Sequence, residues 1–371
     1  MGFANKHIFT LIVILITLSF FTNNYLKYYD DGKQIHQLIV KETSIPKNRI
    51  FFLKTHKCAS STIQNILLRF GHQRNLDILL PSKHNYIGNP KPFQIDMVSK
   101  DFLTTDGKYD LFVHHTRYSQ HVKSVMRPNT MFVTILREPS TLFESIYSFY
   151  HFDKKYHVNL SNVIGDPSIL MNSTRYGHKL GINQMNWDLG MNPEHFENVE
   201  MINNYIEMVD RDFDLIMLFE HMEASLVLLA HLMQWPLEWV AYIPLNTRNK
   251  IFKKKLTEFD RVRLNQINKA DYMLYNHFKD KFKTKIKEYG VDKMKKHIGE
   301  LIGINQGIMD RCVLAKTDKG YGRTISYELK NNDTFCQYYV ILELKYTSLL
   351  RSIQYNRLNK IEALEKLLNE S

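Results

Sequence analysis

From Arg49 to Gly71 the chain reads RIFFLKTHKCASSTIQNILLRFG, with no glycine before the last residue. It therefore lacks the Gly-x4-Gly-Lys-[Ser/Thr] loop of ordinary ATPases and GTPases. Charge is missing elsewhere: no charged residue occurs from Ile8 to Leu26, and Ile8 to Phe21 is almost wholly apolar. That length is near the lower limit for a membrane span and exceeds most signal-peptide cores. A small-x-small cleavage site is also lacking, since the run continues SFFTNNY. An uncleaved anchor over residues 8–26 is favoured over a removed signal peptide. Lys6 precedes it in a tail without acidic residues, which predicts a cytosolic tail over residues 1–7 and a luminal remainder.

Cysteine is scarce, three in 371 residues. Cys312 and Cys336 are near enough in sequence to close a loop in an oxidising lumen, which leaves Cys58 free. Sequons at Asn159, Asn172, Asn332 and Asn369 fit the same compartment. No internal repeat, low-complexity tract or nucleic-acid-binding motif occurs. The net charge of +11 suits an anionic ligand, membrane headgroups or nucleic acid, and with no nucleic-acid-binding motif it supports an anionic ligand without choosing it. With 44% hydrophobic and 12% aromatic residues the chain is globular, long enough for one large or two smaller domains. Residues 27–47 are polar and aperiodic and read as a stem, with a folded domain over residues 48–371.

What is present in Arg49 to Gly71 is a strand, a loop and a helix. Ile50 to Leu53 form a short apolar run, as in a strand buried on both faces. Small and hydroxyl residues follow, and then a helical period at Ile63, Ile66, Leu67 and Phe70 that predicts a helix from near Ser60, with Gly71 at its C′ position. A helix N-terminus after a tight loop offers unpaired N–H groups and a positive dipole end to a phosphate. Cys58, at a helix N-terminus with two cationic neighbours, could be read as an activated thiol, but a small loop residue is the commoner role and the one expected here.

Further strands are expected at Tyr109 to Val113, Met131 to Leu136 and Phe213 to Phe219. Pro139 opens a helix to about Tyr150, and another runs from about Glu223 to Gln234. Strands alternating with helices predict an α/β fold with a parallel sheet. His72 to Asp106 reads as irregular surface structure, Asn186 to Gly190 as a loop or turn, Lys255 to Tyr289 as one long helix, and Gln337 to Leu368 as mainly helical.

Two spacings combine into a resemblance. A strand-end phosphate loop with Lys57 is followed by Arg137 and, eight residues on, Ser145. This resembles the two cofactor motifs of sulfotransferases that use 3′-phosphoadenosine 5′-phosphosulfate (PAPS). KTHKCASSTIQNILLRFG, the His115 to Tyr118 step, FDLIMLFEHMEASLVLL, NWDLG, WPLEWVAYIPLNTRN and ELKYTSLL are similar to the galactose-3-O-sulfotransferases, which include the galactosylceramide sulfotransferases. The resemblance covers about residues 48 to 355. Cys58-Ala59 stands where a Thr-Gly pair is expected, which puts the loop's backbone freedom in question.

The resemblance implies a type II Golgi membrane protein with a P-loop-like α/β luminal domain and no metal requirement. It implies transfer of a sulfuryl group from PAPS to galactose, at the 3-hydroxyl, on a glycolipid or glycan acceptor. Lys54, Thr55, Lys57, Ala59, Ser60, Ser61 and Thr62 would line the 5′-phosphosulfate, Arg137 and Ser145 the 3′-phosphate, and Arg248 the 3′-phosphate or adenine side. His115, just past a strand end, is the first candidate for the base, with His56 and Lys57 as the other catalytic groups. His114 would point the opposite way. A luminal kinase on the same strand-loop-helix, or a silent glycan-binding protein, are the competing readings.

Overall fold

Ile50–Leu53 forms β1, whose four residues are fully buried as the continuous apolar run requires. A computed structural model of the chain describes residues 45–170, 174–175, 178–179, 181–320 and 323–369. The expected anchor, nearly all of the stem and the sequon at Asn172 lie outside the described residues. From Lys47 onward the described residues form one compact unit.

After β1 the chain turns through Lys54–Ala59 into helix α1, Ser60–Gln73. Leu111–Phe112 is β2, Met131–Leu136 is β3 and leads into helix α2, Pro139–Phe149. Proline at the first helical position and Glu138, which accepts from the N–H groups of Ser140 and Thr141, start α2. The remaining named elements are α3 (Gln184–Asp188), α4 (Val199–Asp212), β4 (Leu215–Leu218) and α5 (Met222–Met233). After these come α6 (Glu258–Ile267), α7 (Lys269–Tyr289), α8 (Val291–Cys312), a β5–β6 hairpin (Val313–Gly320 and Thr324–Leu329), α9 (Thr334–Val340) and α10 (Glu343–Asn369).

The main sheet has the order β2-β1-β3-β4 and is parallel throughout. It confirms the α/β expectation. Since β1 leads outward to β2 and β3 leads the other way to β4, the connections diverge between β1 and β3. In an open parallel sheet a ligand crevice lies at the carboxyl ends of such a pair.

Four sequence expectations are corrected. Gly71 does not end α1 but sits inside it: a Cβ there would stand 2.3 Å from Leu111 Cδ1, so glycine lets α1 lie close on β2. Asn186 to Gly190 is not a simple loop, because its first three residues belong to α3. The long helix expected from Lys255 is two helices. Buried Asn268 breaks it by donating from Nδ2 to the Leu264 carbonyl at 2.9 Å and accepting the Asn183 N–H at 2.8 Å. The second strand is shorter than Tyr109 to Val113, two residues flanked by irregular chain.

Cys312 and Cys336 form the expected disulfide, joining the end of α8 to α9 across 24 residues. Closing a loop of that length restrains the unfolded chain by about 3 kcal/mol in the chain-entropy account. The Cys312→Ser/Cys336→Ser pair is expected to lose roughly that stability in urea titration. Equal midpoints for the variant and the parent would mean that the bond is not formed in the folded protein.

Candidate active site

The loop that leaves β1 is shaped by bonds from its own side chains. Thr55 Oγ1 donates to the Ile135 carbonyl on β3 at 2.6 Å, and Ser60 Oγ donates to the Thr55 carbonyl at 2.5 Å. Cys58 Sγ donates to the His56 carbonyl at 3.2 Å and Arg137 Nη1 to the Lys57 carbonyl at 2.9 Å. Within this frame Lys57 and Ala59 have φ of 56° and 59°, in the left-handed region. The expected departure from Thr-Gly therefore falls on a position where glycine would be unstrained.

Left-handed residues at alternate positions turn successive N–H groups toward one side, the geometry of an anion-binding nest. The helix behind it starts without a side-chain cap. Among the described residues no side chain takes up the N–H groups of Lys57 to Ser61, while Thr62 N–H turns back to the Ala59 carbonyl at 3.0 Å. The loop hydroxyls are mostly engaged. Thr55 and Ser60 give their protons to carbonyls, and Thr62 Oγ1 accepts the Leu245 N–H at 3.0 Å. Ser61 Oγ is shared among Lys54, Glu343 and Asn246. An anion seated here would meet chiefly backbone donors.

Four cations surround the loop. Lys57 Nζ lies 3.4 Å above the Phe149 ring, and burial, then the charges of Arg137, Lys54 and Arg248, bring its pKa down to about 7. Arg137, buried at the end of β3, donates to Lys57 O and, at 3.2 Å, to Thr141 Oγ1, and it stacks over Phe219. Ser145 is buried two turns along α2 from the arginine's end. Arg248 also reaches α2, but its guanidinium grips Glu144 through both oxygens, Nη1 at 2.8 Å from Oε1. Lys54 is 2% exposed and pairs with Glu343 at 3.2 Å.

The histidines lie on the other side of the loop. His56 Nδ1 bonds Asp188 Oδ1 at 2.8 Å, the His56 N–H donates to Asp188 Oδ2 at 2.7 Å, and its Nε2 is 3.0 Å from the Tyr86 hydroxyl. With Asp188 accepting the Nδ1–H, Nε2 is the acceptor nitrogen of the ring and takes the Tyr86 O–H. The His115 ring stacks on His56, 4.5 Å away, and on Tyr86, 4.7 Å away, and those two rings are themselves 6.0 Å apart, so the three form a cluster. Lys54 Nζ lies 3.2 Å from His115 Nε2. Burial, followed by the charges of Lys54 and His56, holds His115 well below the ordinary histidine pKa, so it is neutral. His114 does point the other way, to Thr347 Oγ1 at 3.1 Å.

The structure thus brings His56, Lys57, His115, Lys54, Ser61 and Arg137 to one sheet edge, with Ser145 on the helix beside them and Arg248 paired nearby. Asp188, Tyr86 and Glu343 were missed from sequence. Asp188 lies in NWDLG and Glu343 opens ELKYTSLL, but neither stretch says which loop it faces. Asp188 is itself held in place by α7: Asp271 accepts from the N–H groups of Met185 and Asn186 at 3.0 and 2.9 Å, which fixes the start of α3.

Comparison with known proteins gives the same direction. The family model described as galactose-3-O-sulfotransferase matches residues 6–321. The galactosylceramide sulfotransferase of Mus musculus is 31% identical over 277 residues, 72% of this chain and 64% of that protein. Galactose-3-O-sulfotransferase 2 of Sus scrofa is 28% identical over 341 residues, 84% of this chain and 85% of that one. Galactose-3-O-sulfotransferase 3 of Mus musculus is 29% identical over 274 residues, 71% of this chain and 63% of that one. The chain thus aligns with a little under two thirds of the first of these relatives.

Cys58 is fully buried, and burial pushes its thiol far above the ordinary cysteine range. It is a loop-packing residue, and native protein at pH 8 is expected to resist iodoacetamide until denaturant is added. Rapid alkylation of Cys58 in the folded state would reverse that reading.

Proposed function

The chain belongs to the galactose-3-O-sulfotransferase family, and on that premise we propose that it moves a sulfuryl group from PAPS to a galactose hydroxyl, the 3-hydroxyl. The observation that carries the reading is the pairing, across the β1–β3 crevice, of an uncapped N–H nest beside Lys57 and Arg137 with a histidine oriented by a buried carboxylate. The acceptor is a galactose-terminated glycolipid or glycan, galactosylceramide among the candidates.

In this reading the 5′-phosphosulfate sits on the N–H groups of Lys57 to Ser61. The 3′-phosphate meets Arg137 and Ser145, since a dianion favours a planar guanidinium and a hydroxyl fixed on a helix. Arg248 contributes by neutralising Glu144, which would otherwise repel that phosphate from the residue before Ser145. The acceptor oxygen attacks sulfur as the bond from sulfur to the bridging phosphate oxygen breaks. Its proton passes to the base, and adenosine 3′,5′-bisphosphate leaves with the charge that Lys57 stabilises.

The geometry favours His56 over His115 as that base. His56 has an orienting carboxylate at Nδ1, and its Nε2 already meets a hydroxyl, that of Tyr86 at 3.0 Å, the place an acceptor hydroxyl would take beside an activated base. The Nε2 of His115 faces an ammonium, and its basicity is depressed. His115 then serves as a neutral ring that packs His56 and marks the acceptor pocket with Tyr86. No step is assigned to a metal.

We also propose a single-pass type II arrangement in the Golgi, with the 8–26 segment as anchor, residues 27–47 as stem and the domain luminal. The Cys312–Cys336 disulfide and the exposed sequons at Asn159 and Asn332 support an oxidising, glycosylating compartment.

The test is transfer of labelled sulfate from PAPS to a panel of galactosyl lipids and oligosaccharides, with single-turnover rates for variants. His56→Ala is expected to bind adenosine 3′,5′-bisphosphate normally and to lose about 10²-fold or more in rate, the scale of a positioned base. If His115→Ala is the slower of the two, the base is His115. Absence of transfer to every galactoside would remove the reading.

Lys57 supplies a pH test. Its folded pKa is depressed to about 7, so the charged form that holds phosphate is lost as pH rises above that value. Affinity for adenosine 3′,5′-bisphosphate should fall from pH 7 to 9, a window above the ligand's own phosphate ionisation near about 6. Lys57→Arg should flatten the dependence. A wild-type affinity constant across that range would contradict a charged contact from Lys57.

A further inference from the structure

The first residue of α10, Glu343, lies in the midst of the site although it comes 282 positions after Ser61. Its Oε2 accepts from Lys54 Nζ at 3.2 Å and Ser61 Oγ at 3.1 Å, and its Oε1 accepts from Asn85 Nδ2 at 2.5 Å. Two of these partners are also the neighbours of His115. Lys54 Nζ faces His115 Nε2 at 3.2 Å, and the Asn85 carbonyl accepts the His115 N–H at 3.1 Å. One carboxylate therefore sets both the ring contact and the backbone contact of this histidine, whose ring is stacked on His56.

Docking of α10 does not depend on this residue. Thr347 meets His114, Arg351 Nε donates to the Pro81 carbonyl at 2.8 Å, and Gln354 exchanges bonds with the backbone of Ile78 at 2.8 and 2.9 Å. Nor is a buried ion pair a strong source of stability, since desolvation offsets most of its attraction. Burial would raise the Glu343 pKa, but the Lys54 charge and the bonds from Asn85 and Lys54 outweigh it and hold the carboxyl below its usual range. The group is thus kept ionised, at a helix N-terminus that also favours negative charge.

We infer that Glu343 is a positioning residue of the transfer site. Through Lys54 and Asn85 it fixes the His115 ring, and by stacking the His56 ring, and it cancels the Lys54 charge so that the anion is drawn to Lys57 and Arg137 instead. The inference rests on the sulfuryl-transfer reading of the same crevice. It makes the C-terminal helix part of the active site rather than a brace behind the sheet.

A double-mutant cycle between Glu343→Gln and Lys54→Met tests it, read as single-turnover transfer from PAPS to a galactoside, with thermal melting and binding of adenosine 3′,5′-bisphosphate on the same preparations. Glu343→Gln should melt close to wild type, bind the bisphosphate within about threefold, and transfer at least about tenfold more slowly. Glu343→Asp should recover part of the rate. In the Lys54→Met background Glu343→Gln should cost little more, because residues acting as a unit are not additive. If wild-type protein transfers sulfate and Glu343→Gln matches it, the inference fails and the functional reading stands. Losses that simply multiply, or that track the melting temperature, likewise overturn it. Wild-type protein that neither binds the bisphosphate nor transfers overturns both.

Discussion

The site depends on a turn in which two residues with side chains, Lys57 and Ala59, adopt the left-handed backbone that glycine normally supplies. Each costs on the order of 1–2 kcal/mol relative to the right-handed region. Four hydrogen bonds hold the turn against that cost, from Thr55 to Ile135, Ser60 to Thr55, Cys58 to His56 and Arg137 to Lys57. At about 1 kcal/mol net for a typical bond, they are of the size required. The path they impose leaves the N–H groups of Lys57 to Ser61 without side-chain acceptors among the described residues. Arg137 thus serves the loop before any ligand arrives, because one guanidinium nitrogen holds the turn while the group as a whole stays at the crevice.

Charge is distributed by the same logic. Of the four cations at the loop, Lys54 is paired with Glu343 and Arg248 with Glu144. Among the described residues no ion pair engages Lys57 or Arg137. Their nearest partners are a phenyl face, a carbonyl and a hydroxyl. Two positive charges are therefore neutralised by carboxylates and two are left to meet an anion. Strand order then places those two at the carboxyl ends of β1 and β3, where the connections diverge. The carboxylates come from distant parts of the chain, α2 and the start of α10, so the basic crevice is assembled by tertiary packing around a local loop.

Much of this was legible in the sequence because it is local. The apolar runs at β1 and β3, the proline that starts α2 and the hydroxyl-rich turn before α1 all carry signals within a few residues. What was not legible depends on partners far away. Asn268 looks like any polar residue in a charged amphipathic stretch until its bond to Asn183 shows why the helix breaks. Gly71 resembles a helix end in sequence, yet close approach to Leu111 explains it. Helix α8 was hidden by glycines at 299, 303 and 307, which lower helix propensity but here face open space. The preference for His115 over His56 rested on strand position and on the resemblance, neither of which carries the partners of the two rings. Asp188 and Lys54, which distinguish the two rings, lie 132 and 61 positions from the histidines that they touch.

The central claim is that the β1–β3 crevice holds a nucleotide by its 3′-phosphate through Arg137. The most direct measurement compares calorimetric affinity for adenosine 3′,5′-bisphosphate with that for adenosine 5′-monophosphate in wild-type and Arg137→Ala protein. The account predicts that wild type prefers the bisphosphate by roughly 2 to 4 kcal/mol, the scale of a charge-assisted contact in a desolvated site, and that Arg137→Ala loses most of that preference while its weaker binding of the monophosphate changes far less. Equal affinity of wild type for the two nucleotides, or a preference that survives intact in folded Arg137→Ala, would contradict it.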